Sequence, residues 1–306
     1  LYSIRQTRAK EMAGLVAPAA RMSCLSSRPC IASRAGLSLT QRVAPIRLQK
    51  GVILASDVSE WNVANHMIDN YAKPGMVIGV GRGPITAKFV QLVGAQLKEG
   101  TINDVKLLPS NVVTAQEAAF HGVPIAADGD ALKIDIMLDE VDEVLAADPS
   151  LPVVKFRTSG DVQPDPLQDL VIIAKADEYV AVVDESNVVE RLGNWIPVLI
   201  DETGWEEIAD ELDDIWLGDA EIWRRPMRGS QVGANPFGGE MPHLTPEGHT
   251  IVDIRFQPGG LPDEPLVAAG MIMGVEGVVA HGLIVGKASK VLVGSDKGVE
   301  TLVKGA

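Results

Sequence analysis

A short apolar run that ends in glycines and passes straight into a helical pattern limits the folds open to this chain. Met76-Val77-Ile78-Gly79-Val80 has the continuous apolar character of a buried strand, and Gly81-Arg82-Gly83-Pro84-Ile85-Thr86 follows as a tight turn. Ala87–Leu97 then carries apolar residues at helical spacing. Strand, glycine turn and helix in that order present backbone N–H groups and a helix N-terminus to a phosphate, although the same turn also serves as a plain tight corner.

The alternation continues along the chain. Asp57–Ala72 is an expected opening helix, with Asp57 or Ser59 as cap, Trp61, Ala64, Met67, Ile68 and Tyr71 on one face, and Pro74-Gly75 as its stop. Val105–Leu108 is a strand, and a helix runs from near Pro109 to Gly122. Ile134–Leu138 is a strand, and the unbroken apolar run Tyr179–Val183 suits a central parallel strand. From about Trp195 the rhythm changes: strand Ile196–Ile200, acidic helix Trp205–Ile215, strand Ala220–Arg225, a Gly/Pro-rich loop Met227–Pro242 and strand Thr250–Phe256. Sparse aromatics among plentiful Gly, Ala and Val agree with an α/β protein whose strands and helices pack closely.

Charge divides the chain. Residues 1–56 carry nine Lys/Arg and one acid, Glu11, and are rich in Ser and Ala, the composition of an organellar transit peptide. A plastid destination is expected, with Met22 as the expected start; a basic arm is the alternative. Both cysteines, Cys24 and Cys30, fall in this segment, so the remaining chain offers no disulfide, thiol nucleophile or cysteine-bound metal. The whole chain has a formal net charge of −14, which argues against nucleic acid or an anionic membrane surface as the main partner. No run of eighteen apolar residues suggests a membrane-spanning helix.

The chemistry concentrates at Leu138–Lys155, LDEVDEVLAADPSLPVVK. Asp139, Asp142 and Glu143 crowd the end of a buried strand, where like charges repel and raise each other's pKa. A solvated acidic turn would also account for such a cluster. The stretch resembles the Asp-Gly-Ala-Asp-Glu-Val-Asp-Pro…Leu…Lys signature of ribose-5-phosphate isomerase type A. Asp139, Asp142, Glu143 and Val144 fall in register; Leu145–Ala147 is an insertion before Asp148-Pro149, and Leu151 and Lys155 match again. Glu140 and Val141 replace the family's Gly-Ala.

The resemblance spans about residues 57–304 and is similar elsewhere. Gly79, Gly81 and Gly83 align with the family's Gly-x-Gly-Thr-Gly-Ser-Thr turn, but Arg82, Pro84 and Ile85 replace hydroxyl residues. After Lys155 the family has Gly-x-Gly-Gly-Ala; here Phe156-Arg157-Thr158-Ser159-Gly160 stands instead. Counting back from Glu178–Ser186, Asp169 falls on the family's glutamate base, and Asn187 replaces a family lysine. Gly274–Ile284 and Asp296–Val299 follow the family's closing segments, and His281 is expected to be structural.

The resemblance implies a Rossmann-like parallel-sheet domain, residues 57–194 and 272–306, and a smaller α+β, ferredoxin-like domain, residues 195–271. It implies that Asp169 moves a proton between C1 and C2 of a pentose phosphate, that Lys155 stabilises oxyanion charge, and that Asp139 and Asp142 assist ring opening. Gly81, Arg82, Gly83, Thr86, Ser110 and Asn111 would position the sugar phosphate. Neither a redox cofactor nor a metal is expected, and the implied assembly is a homodimer. Two other readings stay open: a divergent phosphosugar-binding homologue with weak or lost isomerase activity, or Mg²⁺ on Asp139, Asp142 and Glu143 for phosphoryl chemistry.

Overall fold

Residues of a doubly covered strand must be apolar on both sides, and four stretches of this chain meet that condition in one sheet. The computed structural model describes residues 55–127, 133–157, 164, 166–227, 238 and 241–305. The basic segment with Met22, Cys24 and Cys30, residues 158–160 and most of the stretch 227–242 lie outside the described residues.

In chain order the elements begin with α1 (Ala55–Tyr71), β1 (Val77–Val80), α2 (Pro84–Glu99), β2 (Lys106–Pro109), α3 (Val112–His121) and β3 (Ile136–Glu140). There follow β4 (Glu143–Val144), β5 (Val153–Val154), α4 (Pro166–Lys175), β6 (Tyr179–Asp184), β7 (Trp195–Ile200), α5 (Trp205–Ile215) and β8 (Ala220–Arg224). The chain closes with β9 (Thr250–Phe256), α6 (Pro265–Met273), β10 (Val278–His281), β11 (Leu283–Ile284), β12 (Lys290–Ser295) and β13 (Gly298–Val303).

The six-stranded sheet has the order β13-β12-β6-β3-β1-β2, parallel except for the β12–β13 hairpin at one edge. Alternate side chains leave a strand on opposite faces. Ile78, Val80, Ile136, Leu138, Val180 and Val182 accordingly pack with Val63, Met67, Phe89 and Val93 of α1 and α2. Met137, Tyr179, Ala181, Val183, Val291 and Val293 pack on the other face with Ile172 and Ile173 of α4. Helix α4 is a departure from the sequence expectation, which assigned no element there; Leu170, Ile172 and Ile173 supply its buried stripe.

The second sheet is antiparallel, with order β10-β7-β9-β8. With α5 after β7 and α6 after β9, the connectivity is the βαββαβ of the ferredoxin-like arrangement. The expected boundary put residues 272–306 with the parallel sheet. Strands β12 and β13 are there, but β10 pairs with β7, His281 opposite Val198, and belongs to the antiparallel sheet. A three-stranded ribbon, β11-β5-β4, joins the two, since β11 follows β10 almost at once and pairs with β5.

Helix α2 starts earlier than its apolar pattern suggested, at Pro84, whose missing N–H is no loss in a first turn. Asn111 caps α3 by accepting from Thr114 N–H at 3.0 Å. The two helices touch at Gly94, where a Cβ would sit 2.7 Å from the His121 carbonyl oxygen. Gly to Ala within a helix ordinarily gains about 1 kcal/mol. Here Gly94→Ala is expected to destabilise by about 1–3 kcal/mol through overpacking, measured as a lower denaturant midpoint at unchanged slope.

Candidate active site

The carboxyl ends of parallel strands gather the loops of the expected site. β1 delivers Gly81–Gly83, β2 delivers Ser110 and Asn111, β3 carries Asp139 and Glu140, and β6 leads to Asn187. Around these ends lies a cleft of about 1270 Å³. Arg82, Gly83, Ser110, Asn111, Asp142, Lys155 and Asp169 all line it. His243–Glu247, from the segment before β9, form its far wall.

Lys155 follows β5, and its N–H donates to the Gly282 carbonyl at 2.8 Å. Its side chain is buried, with Nζ 2.7 Å from Asp139 Oδ2 and in direct contact with Asp169 Oδ2. Asp139 is wholly buried, on β3. Asp169 sits in the first turn of α4, where a carboxylate also faces the favourable end of the helix dipole. One ammonium thus serves two buried carboxylates. Burial pushes the Asp139 carboxyl up to about 7; Lys155 opposes this and Asp169 adds to it. Burial disfavours the Lys155 charge, yet Asp139 and Asp169 hold its pKa above the ordinary value. Asp169 Oδ1 is buried without a hydrogen-bond partner among the described residues.

The other expected residues divide between the cleft and its supports. A Cβ on Gly81 would collide with the Asp139 carboxylate, so glycine there makes room for the acid, and Gly81 does not line the cleft. Thr114 Oγ1 donates to the Gly81 carbonyl at 2.9 Å and holds that turn in place. Thr86 is buried with Oγ1 donating to the Gly83 carbonyl at 3.0 Å, away from the cleft. Asn111 Nδ2 donates to Ser110 Oγ at 3.1 Å. Asp142 Oδ2 accepts from Arg157 N–H at 2.9 Å; burial raises its pKa, and the Arg157 N–H and charge offset part of the rise.

Glu143, a candidate metal ligand in the phosphoryl-transfer reading, is committed elsewhere. It pairs with Arg157 Nη1 at 2.6 Å and accepts from Gly193 N–H at 2.8 Å. Among the described residues, no group of three His, Cys, Asp or Glu is placed to hold a metal ion. His281 is half-buried, on β10 outside the cleft lining, with burial lowering its pKa to about 4.

Several residues of the site carried no clear signal in the sequence. Phe156 lines the cleft and stacks under Lys155, Nζ lying 4.7 Å from its ring centre. Its φ of 73° is left-handed, which explains why glycine suits this position in the resembling motif; a bulky residue pays on the order of 1–2 kcal/mol. Tyr179 looked like one more apolar strand residue. Its buried hydroxyl has no hydrogen-bond partner among the described residues, and burial, then Asp139 and Asp169, push its pKa well up. Glu140 accepts from Ile85 N–H at 2.9 Å.

Comparison with known proteins places the chain in a family. The family model of ribose 5-phosphate isomerase A (phosphoriboisomerase A) matches residues 106–298. This chain belongs to that family. A ribose-5-phosphate isomerase A from Synechococcus sp. (strain RCC307) is 32% identical over 238 residues, 76% of this chain and 91% of that one. A probable ribose-5-phosphate isomerase 3, chloroplastic, from Arabidopsis thaliana is 30% identical over 236 residues, 76% of this chain and 78% of that protein. A solved ribose 5-phosphate isomerase A from Methanocaldococcus jannaschii superposes with a TM-score of 0.67 at 27% identity, covering 82% of this chain and all of that one. A D-ribose-5-phosphate isomerase solved in complex with phospho-erythronic acid gives 0.68 at 27% identity, covering 82% of this chain and 99% of that chain.

Burial gives Glu140 a testable signature. Desolvation raises its pKa to about 8, the Ile85 N–H opposes, and Glu60 and Asp139 add to the rise. The folded value lies above the unfolded one, so its stabilising contribution is complete below about pH 4.5 and is lost as pH rises through about 8. Glu140→Gln cannot ionise. Its melting temperature relative to the wild-type chain is therefore expected to rise from about pH 4.5 to about pH 8 and to level off above, read by differential scanning calorimetry.

Proposed function

We propose that this chain interconverts ribose 5-phosphate and ribulose 5-phosphate through an enediolate. The observation that carries the reading is the buried Asp139–Lys155–Asp169 group, with Asp169 on the cleft and one of its oxygens unpaired. An unpaired buried carboxylate oxygen is costly to a fold, and a group that must accept a proton is one reason to keep it. The relatives' names, and the bound four-carbon phosphorylated acid in one solved relative, point the same way.

In this reading Asp169 carries the proton between C2 and C1. The Lys155 ammonium, dry and fixed, stabilises the negative charge that develops on the substrate oxygens. Asp142, held by Arg157, moves a proton on the ring hydroxyl during opening. Asp139 has no exposed surface, so it acts through Lys155 and holds the ammonium in place. Isomerisation within one sugar balances without an oxidant, since the proton taken from one carbon returns to its neighbour.

A second reading has one observation of its own. Phe156 stands in left-handed backbone beside the catalytic lysine, which favours a chain that binds a phosphosugar but turns it over poorly. Ribulose 5-phosphate formation from ribose 5-phosphate, measured with the wild-type chain, separates the two. The isomerase reading expects turnover, and Asp169→Asn is expected to cut kcat by about 10²–10⁴ with KM little changed. Calorimetric binding of ribose 5-phosphate with no ketose formed would leave the second reading standing.

We further infer a plastid location and a homodimer. The basic, acid-poor segment 1–56 and the chloroplastic relative support the first, and family membership supports the second. Residues 1–56 fused to a fluorescent protein are expected to carry it into plastids; a fusion that stays outside them would overturn that inference.

A further inference from the structure

The first turn of α2 is the obvious anion site in this cleft, and a side chain of the protein already occupies it. Helix α2 begins after Gly83, which offers no side-chain cap, and Pro84 has no N–H to give. The next amides are those of Ile85 and Thr86. Ile85 N–H donates to Glu140 Oε2 at 2.9 Å, and the Thr86 N–H lowers the pKa of the same carboxyl group. Glu140 reaches them from the end of β3, whose neighbour is β1, with Val80 opposite Leu138. The fit is close: a Cβ on Gly83, whose φ is 158°, would collide with the Glu140 carboxyl group.

An amide that already serves a carboxyl group, in a turn which that group fills, cannot also serve a phosphate. Acids crowd the same turn. Glu60 of α1 and Asp139 of β3 both act on Glu140 as like charges. Lys88, the nearest cation along α2, is held by Asp57 at 3.0 Å and by Glu60. Arg82 lies in the turn itself and lines the cleft.

We infer that Glu140 is a specificity-determining residue: its carboxyl group takes the place of a substrate phosphate at the start of α2, so the cleft favours the sugar part of its ligand over the phosphate. The inference rests on the isomerase reading for its substrate, but not for its measurement. Below about pH 8 the group blocks the site mainly by occupying its donors. Above that pH it also repels an anion.

The test compares the wild-type chain with Glu140→Gly and Glu140→Gln. Binding of inorganic phosphate by calorimetry, which needs no turnover, is the first readout. Glu140→Gly frees the Ile85 amide and empties the turn, and is expected to bind phosphate at least roughly tenfold more tightly than wild type. KM for ribose 5-phosphate is expected to fall by a similar factor, while KM for unphosphorylated ribose stays put. Glu140→Gln keeps the block but removes the charge, so its phosphate affinity should exceed wild type at pH 9 and match it at pH 6.

Equal phosphate affinity in all three proteins at pH 9 would overturn the inference, as would parallel changes in KM for ribose and its phosphate. If Glu140→Gly does not fold, the Glu140→Gln comparison at pH 9 decides alone. Tighter phosphate binding with no ketose formed by any of the three would leave the inference intact and remove the isomerase reading. Normal turnover with unaltered phosphate binding would do the reverse.

Discussion

Two carboxylates around one buried ammonium set the terms for the rest of this molecule. Removing one partner of a buried ion pair costs roughly 3–5 kcal/mol, because the other charge is left dry and uncompensated. The group formed by Lys155, Asp139 and Asp169 carries an acid in excess, so even the intact group is under electrostatic strain. Burial pushes the Asp139 carboxyl group up to about 7, with Lys155 opposing the rise and Asp169 adding to it. Gly81 gives up its side chain to make space for Asp139. Helix α4 brings Asp169 to the lysine by its first turn, where the helix dipole favours a negative charge. Phe156 covers the ammonium with its ring at the cost of a left-handed backbone.

The parallel sheet was legible because its physics is local. A strand buried on both faces must be apolar throughout, and Ile136–Leu138 and Tyr179–Val183 obey that rule residue by residue. The spacing of Trp205–Ile215 matched its helix, since a surface helix writes its buried face into the sequence at every turn. What the sequence did not disclose depends on depth and on long-range pairing. Asp139 and Asp142 look alike in the string, yet one is sealed beneath Gly81 and the other lines the cleft. Nothing local tells Val278–His281 to pair with β7 rather than to extend the parallel sheet. The resemblance placed Asp169 by counting, but it did not reveal the helix that holds it. The apolar spacing of Leu170, Ile172 and Ile173 was the signal that could have found it.

Departures from the family pattern are connected rather than scattered. Glu140 replaces a glycine, and its carboxyl group meets the turn in which Pro84 has already removed one donor. Each change makes the other easier to tolerate, since a carboxyl group gains the amides that a phosphate would otherwise need. Phe156 and Arg157 replace residues of a glycine-rich turn. Arg157 supplies what such a turn would lack, a side chain that ties down its surroundings. Its guanidinium bonds to Glu143 at 2.6 Å and to the Trp195 carbonyl at 2.7 and 2.9 Å, and it lies 4.5 Å from the centre of the Trp195 ring.

Those contacts explain why a chain of this kind needs its antiparallel sheet. Trp195 opens β7, and Gly193 just before it donates to Glu143. Gly282, between β10 and β11, donates to the Pro197 carbonyl at 2.7 Å and accepts from Lys155 N–H at 2.8 Å. A Cβ on Gly282 would collide with the Lys155 carbonyl oxygen, so glycine is required where the two backbones meet. The lysine backbone is therefore gripped by the antiparallel sheet while its ammonium is gripped by acids on the parallel sheet and α4. A shift of about 1 Å in a reacting group can cost a hundredfold in rate. The antiparallel sheet contributes the wall His243–Glu247 to the cleft, but its larger physical contribution is to fix one end of the residue on which the charge balance turns.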